Sequence, residues 1–599
     1  MPANAGIHAP PASPARAAFN EPACREMCES VSPRGEGRAD GRGEGASNQD
    51  PRPWQTLYPS GLDWAAPIPT TTLPAMLDHA ADTWPHRPAI TFRTTTLTFA
   101  NLRHRADRLA RFLHAAGVRT GDAIALLLPN TPAHPIAFFA ALRLGARVVH
   151  LTPLDPARAV QRKLDDSSAT TLITTNLPGV LPQALAAKIH RLIVADDAEW
   201  GPSAALPMPS APAMSTPAMS TLDGPPIPWP TLAPTDDALL QYTGGTTGQP
   251  RAARLTHANL SAATAIYDTW NNAIGRAYRP GDRILCVLPL FHIFALTTAL
   301  LRAIANGVEI LLHPRFDPTA VLDAIEAGVT HFSGVPTMWI ALAAHPGIDT
   351  RNLTTLRIAG SGGAPLPPDV QQRLHALTGL RLGGGWGMTE TAPAGTNLVP
   401  GHDPEPGGIG IPLPGVDLRI VSLEDPTKPL TPGEPGEISV RGPNVTPGYW
   451  NRPDENAAAF IDGWFLTGDI GLMRPDGNFL IVDRKKDMIL SGGFNVYPRA
   501  IEDAIHEHPD VIEAAVIGIP DPYRGQAAKA FVVLREAAPE MTLDSLRTFL
   551  AERLGRHELP TALELRETLP HTPVGKLAKR ELISPDPAII SSEQERPDE

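Results

Sequence analysis

Apolar and polar residues follow two alternating patterns in the first half of the chain. Between Phe99 and Gly117 the apolar positions recur every three or four residues, which predicts a helix with one apolar face. The run DAIALLLPN, residues 122–130, is short and apolar, as in a strand buried on both faces. HPIAFFAALRLGA then predicts a helix and RVVHL a strand. Strand, helix and strand at this spacing predict a parallel sheet with right-handed crossovers.

The longest apolar stretch runs from Ile284 to Leu301 and is about as long as a membrane span. Pro289 and His292 interrupt it. We therefore interpret it as a buried strand, a turn and a helix, and we expect no transmembrane segment.

The pattern changes in the second half. From about Gly401 to Gly477 the chain is rich in Gly and Pro, with short alternating segments such as GEISVRG, which predict a β-rich subdomain. After Arg484 the pattern predicts a mixture of strands and helices: VIEAAVIGIP and KAFVVL as strands and TLDSLRTFLAERL as a helix. The expected fold class is α/β: a large N-terminal domain of stacked α/β subdomains plus a β-rich subdomain, residues 53–484, and a small α+β C-terminal domain, residues 485–585.

Three segments lack such patterns. Residues 1–52 are rich in Pro, Gly, Ala, Arg and Glu without periodicity, which predicts a disordered N-terminal tail. Residues 201–230 contain PAMST twice and many prolines, which predicts an extended surface linker. Residues 586–599 are expected to form a flexible tail.

Charge and cysteine content restrict the function classes. The 599 residues carry a net charge of −12, which argues against a nucleic-acid-binding surface. Cys24, Cys28 and Cys286 show no spacing typical of a zinc site or a disulfide framework, in keeping with a reducing cytoplasm. No signal peptide is apparent. We expect a cytoplasmic protein; peripheral membrane contact and the oligomeric state are left open.

The segment LLQYTGGTTGQPRAARLTHANL, residues 239–260, contains a Gly- and Thr-rich turn between a predicted strand and a predicted helix. Backbone N–H groups, hydroxyls and a helix N-terminus favour an anion such as phosphate. The candidate phosphate-binding residues are Thr243, Gly244, Gly245, Thr246, Thr247 and Gly248. The common G-x-x-x-x-G-K-[ST] loop does not match, because no Lys-Ser or Lys-Thr pair follows the last glycine, Gly248, and the next basic residue is Arg251.

Two acidic motifs suggest nucleotide chemistry. In GMTET, the Thr389 hydroxyl can bind a phosphate, and Glu390 can supply an oxygen ligand to Mg²⁺. The alternative is a Thr-Glu pair that caps a helix. In TGD, Asp469 can accept hydrogen bonds from two ribose hydroxyls, and the alternative is a simple turn residue.

The Thr-Gly loop and four further motifs occur in a characteristic order: GGGWGMTETAP (383–393), DGWFLTGDIG (462–471), DRKKDMILSGGFNVYP (483–498) and LPHTPVGKLAKREL (569–582). Through them the chain resembles the adenylate-forming superfamily of acyl-CoA synthetases, luciferases and peptide-synthetase adenylation domains, most closely fatty acyl-CoA ligases. The resemblance covers about Pro53 to Pro585. It implies that a carboxylate attacks the α-phosphate of Mg²⁺-bound ATP, giving acyl-AMP and pyrophosphate, and that the thiol of coenzyme A then displaces AMP.

The resemblance also assigns roles to residues. Lys576 would bridge the carboxylate and the α-phosphate, although Lys579 and Arg580 leave a solvated basic face as an alternative. Lys486 would be the hinge of a mobile C-terminal domain that rotates between the two half-reactions. Relatives commonly carry Lys at the position of Arg251, so we expect retained activity with altered affinity for ATP. Further candidates for binding ATP or coenzyme A are Gly363, Ala364, Trp386, Gly387, Met388, Arg484, Gly492 and Gly493.

The carboxylate substrate is less sharply indicated. Members that activate amino acids place an Asp after the Phe equivalent to Phe291, whereas this chain has His292, so an ammonium group would be left unpaired. An apolar acyl pocket is expected around Phe294, Leu296, Trp339, Trp386 and residues 359–365, but core packing explains Phe294, Leu296 and Trp339 equally well. His292 is either a gate to that pocket or a capped histidine in the core.

We therefore predict an ATP- and Mg²⁺-dependent ligase that joins a medium- or long-chain fatty acid to coenzyme A. The alternatives are a ligase for aromatic or dicarboxylic acids, an adenylating enzyme that loads a carrier protein, and a catalytically inactive nucleotide-binding relative. The chain has no G-x-S-x-G elbow and no H-E-x-x-H pair that would support a hydrolase or a zinc enzyme.

Overall fold

The computed structural model describes residues 52–202, 219–243, 251–363, 366, 368–402, 407–492, 494–536, 538–571 and 577–583. The predicted N-terminal tail, the middle of the predicted linker and the predicted C-terminal tail lie outside these residues. Those predictions, and the predicted boundary between two domains, stay predictions.

The strands of the described residues, β1 to β24 in chain order, are Pro88–Phe92, Thr95–Thr98, Ala123–Leu126, Arg147–His150, Thr171–Thr175, Arg191–Ala195, Asp237–Thr243, Arg251–Thr256, Arg283–Cys286, Glu309–Leu312, His331–Gly334, Ile358–Ser361, Thr396–Asn397, Gly408–Pro412, Asp417–Val421, Gly436–Arg441, Phe460–Ile461, Trp464–Met473, Phe479–Arg484, Ile489–Ser491, Phe494–Val496, Val511–Asp521, Gly525–Leu534 and Ala562–Leu565.

The α-helices of the same residues, α1 to α15, are Leu73–Thr83, Phe99–Ala115, Ala133–Arg143, Ala157–Ser167, Leu181–Ala186, His257–Ala273, Ile293–Ala295, Arg302–Asn306, Pro318–Glu326, Pro336–Ala343, Pro368–Thr378, Pro453–Ala459, Pro498–His506, Leu543–Leu550 and Lys579–Ile583. A π-helical segment, Leu296–Leu301, joins α7 to α8, so residues 293–306 form one continuous helix. Short 3₁₀ helices include Met219–Thr221 and Thr389–Thr391.

The first half of the chain builds two mixed sheets. The first sheet has the strand order β12-β11-β9-β10-β1-β2 and is parallel except for the β1–β2 pair. The second sheet has the order β6-β5-β3-β4-β7-β8 and is parallel except for the β7–β8 pair. These sheets confirm the predicted parallel α/β arrangement.

The second half builds two largely antiparallel sheets. The third sheet has the order β13-β14-β19-β18-β16-β15, with β17 paired to β18. It confirms the β-rich region predicted after Gly401. The fourth sheet has the order β21-β20-β23-β22, with β24 parallel to β23, and is formed only by residues after Arg484.

Local sequence explains helices α2 and α3. In α2, Phe99, Leu102 and Leu109 lie on the buried face, and the Thr98 side chain accepts a hydrogen bond from the backbone N–H of Asn101. Helix α3 is apolar on all sides, and all of its residues are buried. At the end of the predicted linker, Met219 and Leu222 are also buried, so this part packs against the body of the protein.

Candidate active site

The Thr-Gly loop connects two paired strands. Strands β7 and β8 are antiparallel, and Thr243 lies directly opposite Arg251. Helix α6 begins at His257, where the helix was predicted, but strand β8 lies between the loop and this helix N-terminus. Strand β8 forms because its outer edge also pairs with the chain at Tyr449, which satisfies its backbone groups on both sides. Residues 244–248 of the loop lie outside the described residues.

Arg251 contacts protein groups and does not project freely into solvent. Its Nη1 lies 2.9 Å from Oε2 of Glu455, and its guanidinium carbon lies 5.1 Å from the centre of the Tyr449 ring. About a quarter of the side chain is exposed, at 27%. The guanidinium is thus held at the start of β8, on the residue directly opposite Thr243.

Glu390 is a buried carboxylate close to Arg251. It lies in the 3₁₀ turn Thr389–Thr391 and accepts a hydrogen bond of 2.8 Å from the Tyr449 hydroxyl. Burial raises the pKa of Glu390, while the Tyr449 hydrogen bond and the charges of Arg251 and Arg484 lower it. Sequence reasoning missed Tyr449, because no local motif connects it to Glu390.

The carboxylate of Glu390 fits a magnesium ion that takes its other ligands from substrate phosphates. The described residues contain no group of three or more side chains able to hold a metal by themselves. Mg²⁺ commonly binds one or two carboxylates together with phosphate oxygens and water. A nearby cation would also offset the cost of burying the Glu390 charge.

Asp469 contacts two of the predicted nucleotide-binding residues. Its Oδ2 accepts a 2.8 Å hydrogen bond from Nε1 of Trp386, and its Oδ1 lies 2.7 Å from Nε of Arg484, directly opposite on the neighbouring strand. Asp469 is almost completely buried, whereas half of the Arg484 side chain is exposed. An ionised carboxylate has about four acceptor positions, so Asp469 can keep these partners and still accept from hydroxyls.

Backbone packing fixes the segment that carries Trp386, Met388 and Glu390. A Cβ atom built on Gly387 would lie 1.6 Å from the carbonyl oxygen of Pro393, so only glycine fits there. The Met388 N–H donates to Oγ1 of Thr391 at 3.0 Å, which closes the turn around Thr389. Gly363 has a φ of +88°, in the left-handed region that favours glycine.

The predicted C-terminal candidates are only partly described. Lys486 lies in the exposed turn after β19, and Gly492 has a φ of +58° with open space where a side chain would project. Ala364, Gly493 and Lys576 lie outside the described residues. Lys579 forms a 2.7 Å ion pair with Glu502 and is about four-fifths buried, so it does not belong to a solvated basic face.

An apolar cleft lies between the helix of residues 293–306 and the first sheet. The cleft is narrow, and its lining includes Ile284, Cys286, Leu288, Thr298, Ala299 and Ser333. Oγ1 of Thr297, on the same helix, donates to the carbonyl oxygen of Ala392 at 2.8 Å. The cleft and the Glu390 turn are therefore attached to one helix.

The predicted pocket residues occupy different places around this cleft. The Phe294 ring lies 2.9 Å from a Cβ atom built on Gly362, so it covers a position without a side chain. Nδ1 of His292 accepts from the N–H of Phe294 at 3.2 Å and caps α7. Leu296 is fully buried in the core. Trp339 packs on Phe332, donates to the carbonyl oxygen of Gly360 and belongs to the core, not to the cleft lining.

Comparison with known proteins agrees with this arrangement. Residues 77–450 match the family model described as AMP-binding enzyme, and residues 500–576 match the AMP-binding enzyme C-terminal domain. The chain belongs to the AMP-binding enzymes. This confirms the resemblance drawn from the five motifs and the α/β fold that it implied. Within the described residues, no helix of this AMP-binding enzyme is long and apolar enough to cross a membrane.

The relatives are ligases that act on different acids. The AMP-binding enzyme is 36% identical over 557 residues to the long-chain-fatty-acid–CoA ligase of Bacillus subtilis strain 168, covering 89% of this chain and 98% of the relative. It is 40% identical over 503 residues to a feruloyl-CoA synthase of an Amycolatopsis species, covering 83% and 96%. The structure of O-succinylbenzoate coenzyme A synthetase from B. subtilis with ATP and magnesium is 30% identical, with a TM-score of 0.72, covering 85% and 99%. The chain is thus an enzyme of the adenylate-forming acyl-CoA ligase family.

Proposed function

We propose that this AMP-binding enzyme joins a medium- or long-chain fatty acid to coenzyme A through an acyl-adenylate, using ATP and Mg²⁺. The observation that carries the proposal is the Thr297–Ala392 hydrogen bond, which joins the helix lining the apolar cleft to the turn that holds Glu390. An acyl chain in the cleft would place its carboxylate toward the phosphate-binding side. The long-chain ligase among the relatives supports the same choice.

The proposed roles follow from charge. A carboxylate and a triphosphate repel each other, and Arg251, with Lys576 by resemblance, would offset this repulsion at the α-phosphate and the leaving pyrophosphate. A magnesium ion on Glu390 would neutralise phosphate charge. Thr389 would bind the α-phosphate, and Asp469, oriented by Trp386, would accept from the ribose hydroxyls. One such preorganised group is typically worth about 3 to 4 kcal/mol in the transition state.

The second half-reaction is proposed from resemblance. The C-terminal region, residues 485–585, would turn about Lys486 and bring Gly492 and Gly493 toward the acyl-adenylate. The open space around Gly492 supports this role, since a pantetheine arm would pass close to the backbone there. We also propose that the enzyme acts in the cytoplasm on small-molecule substrates and without nucleic acid.

An aromatic acid is the second candidate substrate. Phe294, on the helix that lines the cleft, packs its ring over Gly362 and offers an aromatic surface there. The 40% identity to a feruloyl-CoA synthase points the same way. A flat, rigid ring would be held there with a smaller loss of conformational entropy than a long alkyl chain.

The test is pyrophosphate release with Mg²⁺-ATP and a panel of acids, each with and without coenzyme A. The panel runs from acetate to palmitate and includes aromatic and dicarboxylic acids. Turnover that requires coenzyme A and peaks at one aliphatic chain length supports the fatty acid ligase, whereas a peak at an aromatic acid supports the second candidate. Pyrophosphate exchange without coenzyme A turnover would favour a carrier protein as acceptor. If no acid causes pyrophosphate release or exchange, the proposal is rejected.

A further inference from the structure

Arg276 lies between α6 and β9, and its half-buried guanidinium has no partner. Within the described ranges, no hydrogen bond, ion pair or ring contact involves its side chain. The neighbouring arginines differ: Arg302 pairs with Asp268 at 2.8 Å, Arg283 with Glu309 at 3.0 Å, and Arg357 with Asp282. The carboxylates of this region are therefore already engaged. Among the described residues, no carboxylate pairs with Arg276, so a bound molecule can supply its partner.

Arg276 occupies space that a missing side chain leaves open. A Cβ atom built on Gly383 would lie 3.1 Å from Nη1 of Arg276. Gly383 has no positive φ, so its backbone does not itself demand glycine. Any larger residue at position 383 would displace the guanidinium. The glycine thus allows the cation to reach the surface of the first sheet.

That surface belongs to the same sheet face as part of the apolar cleft. Gly383 pairs in parallel with Gly360, and Gly360 pairs in parallel with Ser333. Side chains of directly paired residues project to the same face of a sheet. Since Ser333 lines the cleft, Gly383 and the guanidinium above it lie on the same face.

The Arg276 end of this face lies away from the candidate phosphate site. Gly360 precedes Gly362, which lies under Phe294, and Gly383 precedes Thr389 by six residues. Both segments run from the Gly360–Gly383 pair toward the nucleotide-binding candidates. An acid whose carboxylate lies at the phosphate end would thus extend its far end toward Arg276.

We propose that Arg276 is a specificity residue that binds an oxygen acceptor at the end of the acyl group remote from the reacting carboxylate. The inference rests on the proposed function and narrows its substrate class. Suitable acceptors are the second carboxylate of a dicarboxylic acid and the ring oxygens of a hydroxylated or methoxylated aromatic acid. A guanidinium forms short, charge-assisted hydrogen bonds to such oxygens, and a half-buried cation without a partner gains most from them.

The experiment compares acids of matched length with and without the remote oxygen. Dodecanedioate is paired with dodecanoate, and ferulate with cinnamate, in the coenzyme A-dependent pyrophosphate assay. The variants are Arg276→Met, which removes the charge, and Gly383→Leu, which fills the space and keeps the charge. Arg279→Met, an exposed arginine three residues further on, is the matched control.

We expect at least one oxygenated acid to exceed its plain partner at least tenfold in kcat/KM. Arg276→Met and Gly383→Leu should each lower that ratio at least tenfold, and Arg279→Met should leave it within twofold. The pair that shows the preference distinguishes a carboxylate from a ring oxygen. Calorimetric titration of the same acids into wild type and Arg276→Met measures the contact without turnover.

Two outcomes would overturn the inference. The first is preferred turnover of the plain acids with an unchanged ratio in Arg276→Met. The second is equal binding of oxygenated acids by wild type and Arg276→Met. Failure of the proposed function looks different, because then no acid of either kind would release pyrophosphate, while the titration would still report whether Arg276 holds the remote oxygen.

Discussion

Arg251 replaces the lysine that relatives commonly carry after the Thr-Gly loop, and its contacts limit what the replacement does. The guanidinium rests on Glu455 and over the Tyr449 ring, so its charge is held at the loop. An ATP polyphosphate would compete with Glu455 for the same N–H groups. A partly exposed ion pair of this kind is typically worth about 1 kcal/mol or less, so phosphate can displace it.

Arg251→Met should raise the KM for ATP at least tenfold, because the phosphates lose a charge-assisted partner. Arg251→Lys should stay within a few-fold of wild type. The assay is initial-rate kinetics with varied Mg²⁺-ATP. Arg254→Met, on the same strand and paired with Asp237, is the control. Equal KM values for Arg251→Met and Arg254→Met would contradict a role for Arg251 in binding ATP.

Tyr449→Phe should weaken Mg²⁺ binding most at low pH. The Tyr449 hydrogen bond lowers the pKa of Glu390 against the effect of burial, so its removal lets that pKa rise and favours the protonated acid, which binds metal poorly. The Mg²⁺ concentration for half-maximal rate should increase several-fold more at pH 6 than at pH 8. Tyr242→Phe, whose hydroxyl bonds Asp166 elsewhere, is the control. The same change in Mg²⁺ dependence at both pH values would argue against this explanation.

Sequence motifs were sufficient to select Glu390, Asp469, Trp386 and Arg251 as candidates, but not to find their partners. Tyr449 reaches Glu390, and Trp386 reaches Asp469, across long separations in sequence. Such pairs depend on how sheets and loops pack, which local spacing does not encode. Arg276 was missed for the same reason, since only the Gly360–Gly383 pairing places it at the cleft.

At the scale of elements, a chain of buried polar groups connects α3, β4 and β7 to the cleft. Nε2 of Gln241 donates to the carbonyl oxygen of Phe291, so Oε1 of Gln241 accepts from Nδ1 of His150. Nε2 of His150 must then accept the hydrogen bond from Nε2 of His134, at 3.1 Å. One carbonyl thereby fixes the tautomers of both histidines. This series of hydrogen bonds holds the segment before His292 against β7, the strand that leads to the Thr-Gly loop.

The two buried histidines, His134 and His150, should make the free energy of unfolding depend on pH. Burial lowers the pKa of His150 to about 4 and that of His134 well below its usual range. The unfolded chain therefore binds more protons between pH 4 and 6.5, so stability is present above pH 6.5 and is lost as the pH falls. Between pH 7.5 and 5.5, the titration of His150 alone should lower the free energy of unfolding by about 1 kcal/mol.

The measurement is the free energy of unfolding at both pH values. His150→Asn keeps an N–H donor for Gln241 and removes one titrating group, so its loss of stability between pH 7.5 and 5.5 should be smaller than that of wild type. The exposed His104→Asn is the control and should behave like wild type. If the free energy of unfolding of His150→Asn falls as much between the two pH values as that of wild type, His150 is not the group responsible.

Predictions of single elements were more successful than predictions of their connections. The periodicity of α2 and the apolar run of β3 were sufficient, because amphipathic and fully buried elements leave clear patterns. Strand β8 was missed because RAARLT lies beside a motif that suggests a helix N-terminus, and its pairing partners lie in β7 and at Tyr449. The pattern of one segment does not report which edge it will join.

At the scale of the whole molecule, strand order could not be read from the sequence. Strands β1 and β2 precede the second sheet in the chain but join the first, where Ile90 lies opposite Ile310. Alternating β and α patterns predict a parallel sheet, but they do not show that the strands are divided between two sheets. The third and fourth sheets were easier to predict, because their strands follow one another closely along the chain.

Two variants test the proposed rotation of the C-terminal region. Lys576→Ala should reduce acyl-AMP formation by about a hundred- to a thousand-fold and leave thioester formation from supplied acyl-AMP largely intact. Gly493→Leu should have the reverse effect, because a side chain there would block the pantetheine arm. Each variant is the control for the other when both half-reactions are measured separately. Equal loss of both steps in either variant would reject the two-position scheme.

Cys286 ends β9 at the wall of the cleft, with its thiol directed at the carbonyl oxygen of Leu288. Burial raises the pKa of this thiol to about 12, so almost none of it is the reactive thiolate at neutral pH. Oxidants and water-soluble alkylating reagents should therefore leave the cleft wall intact.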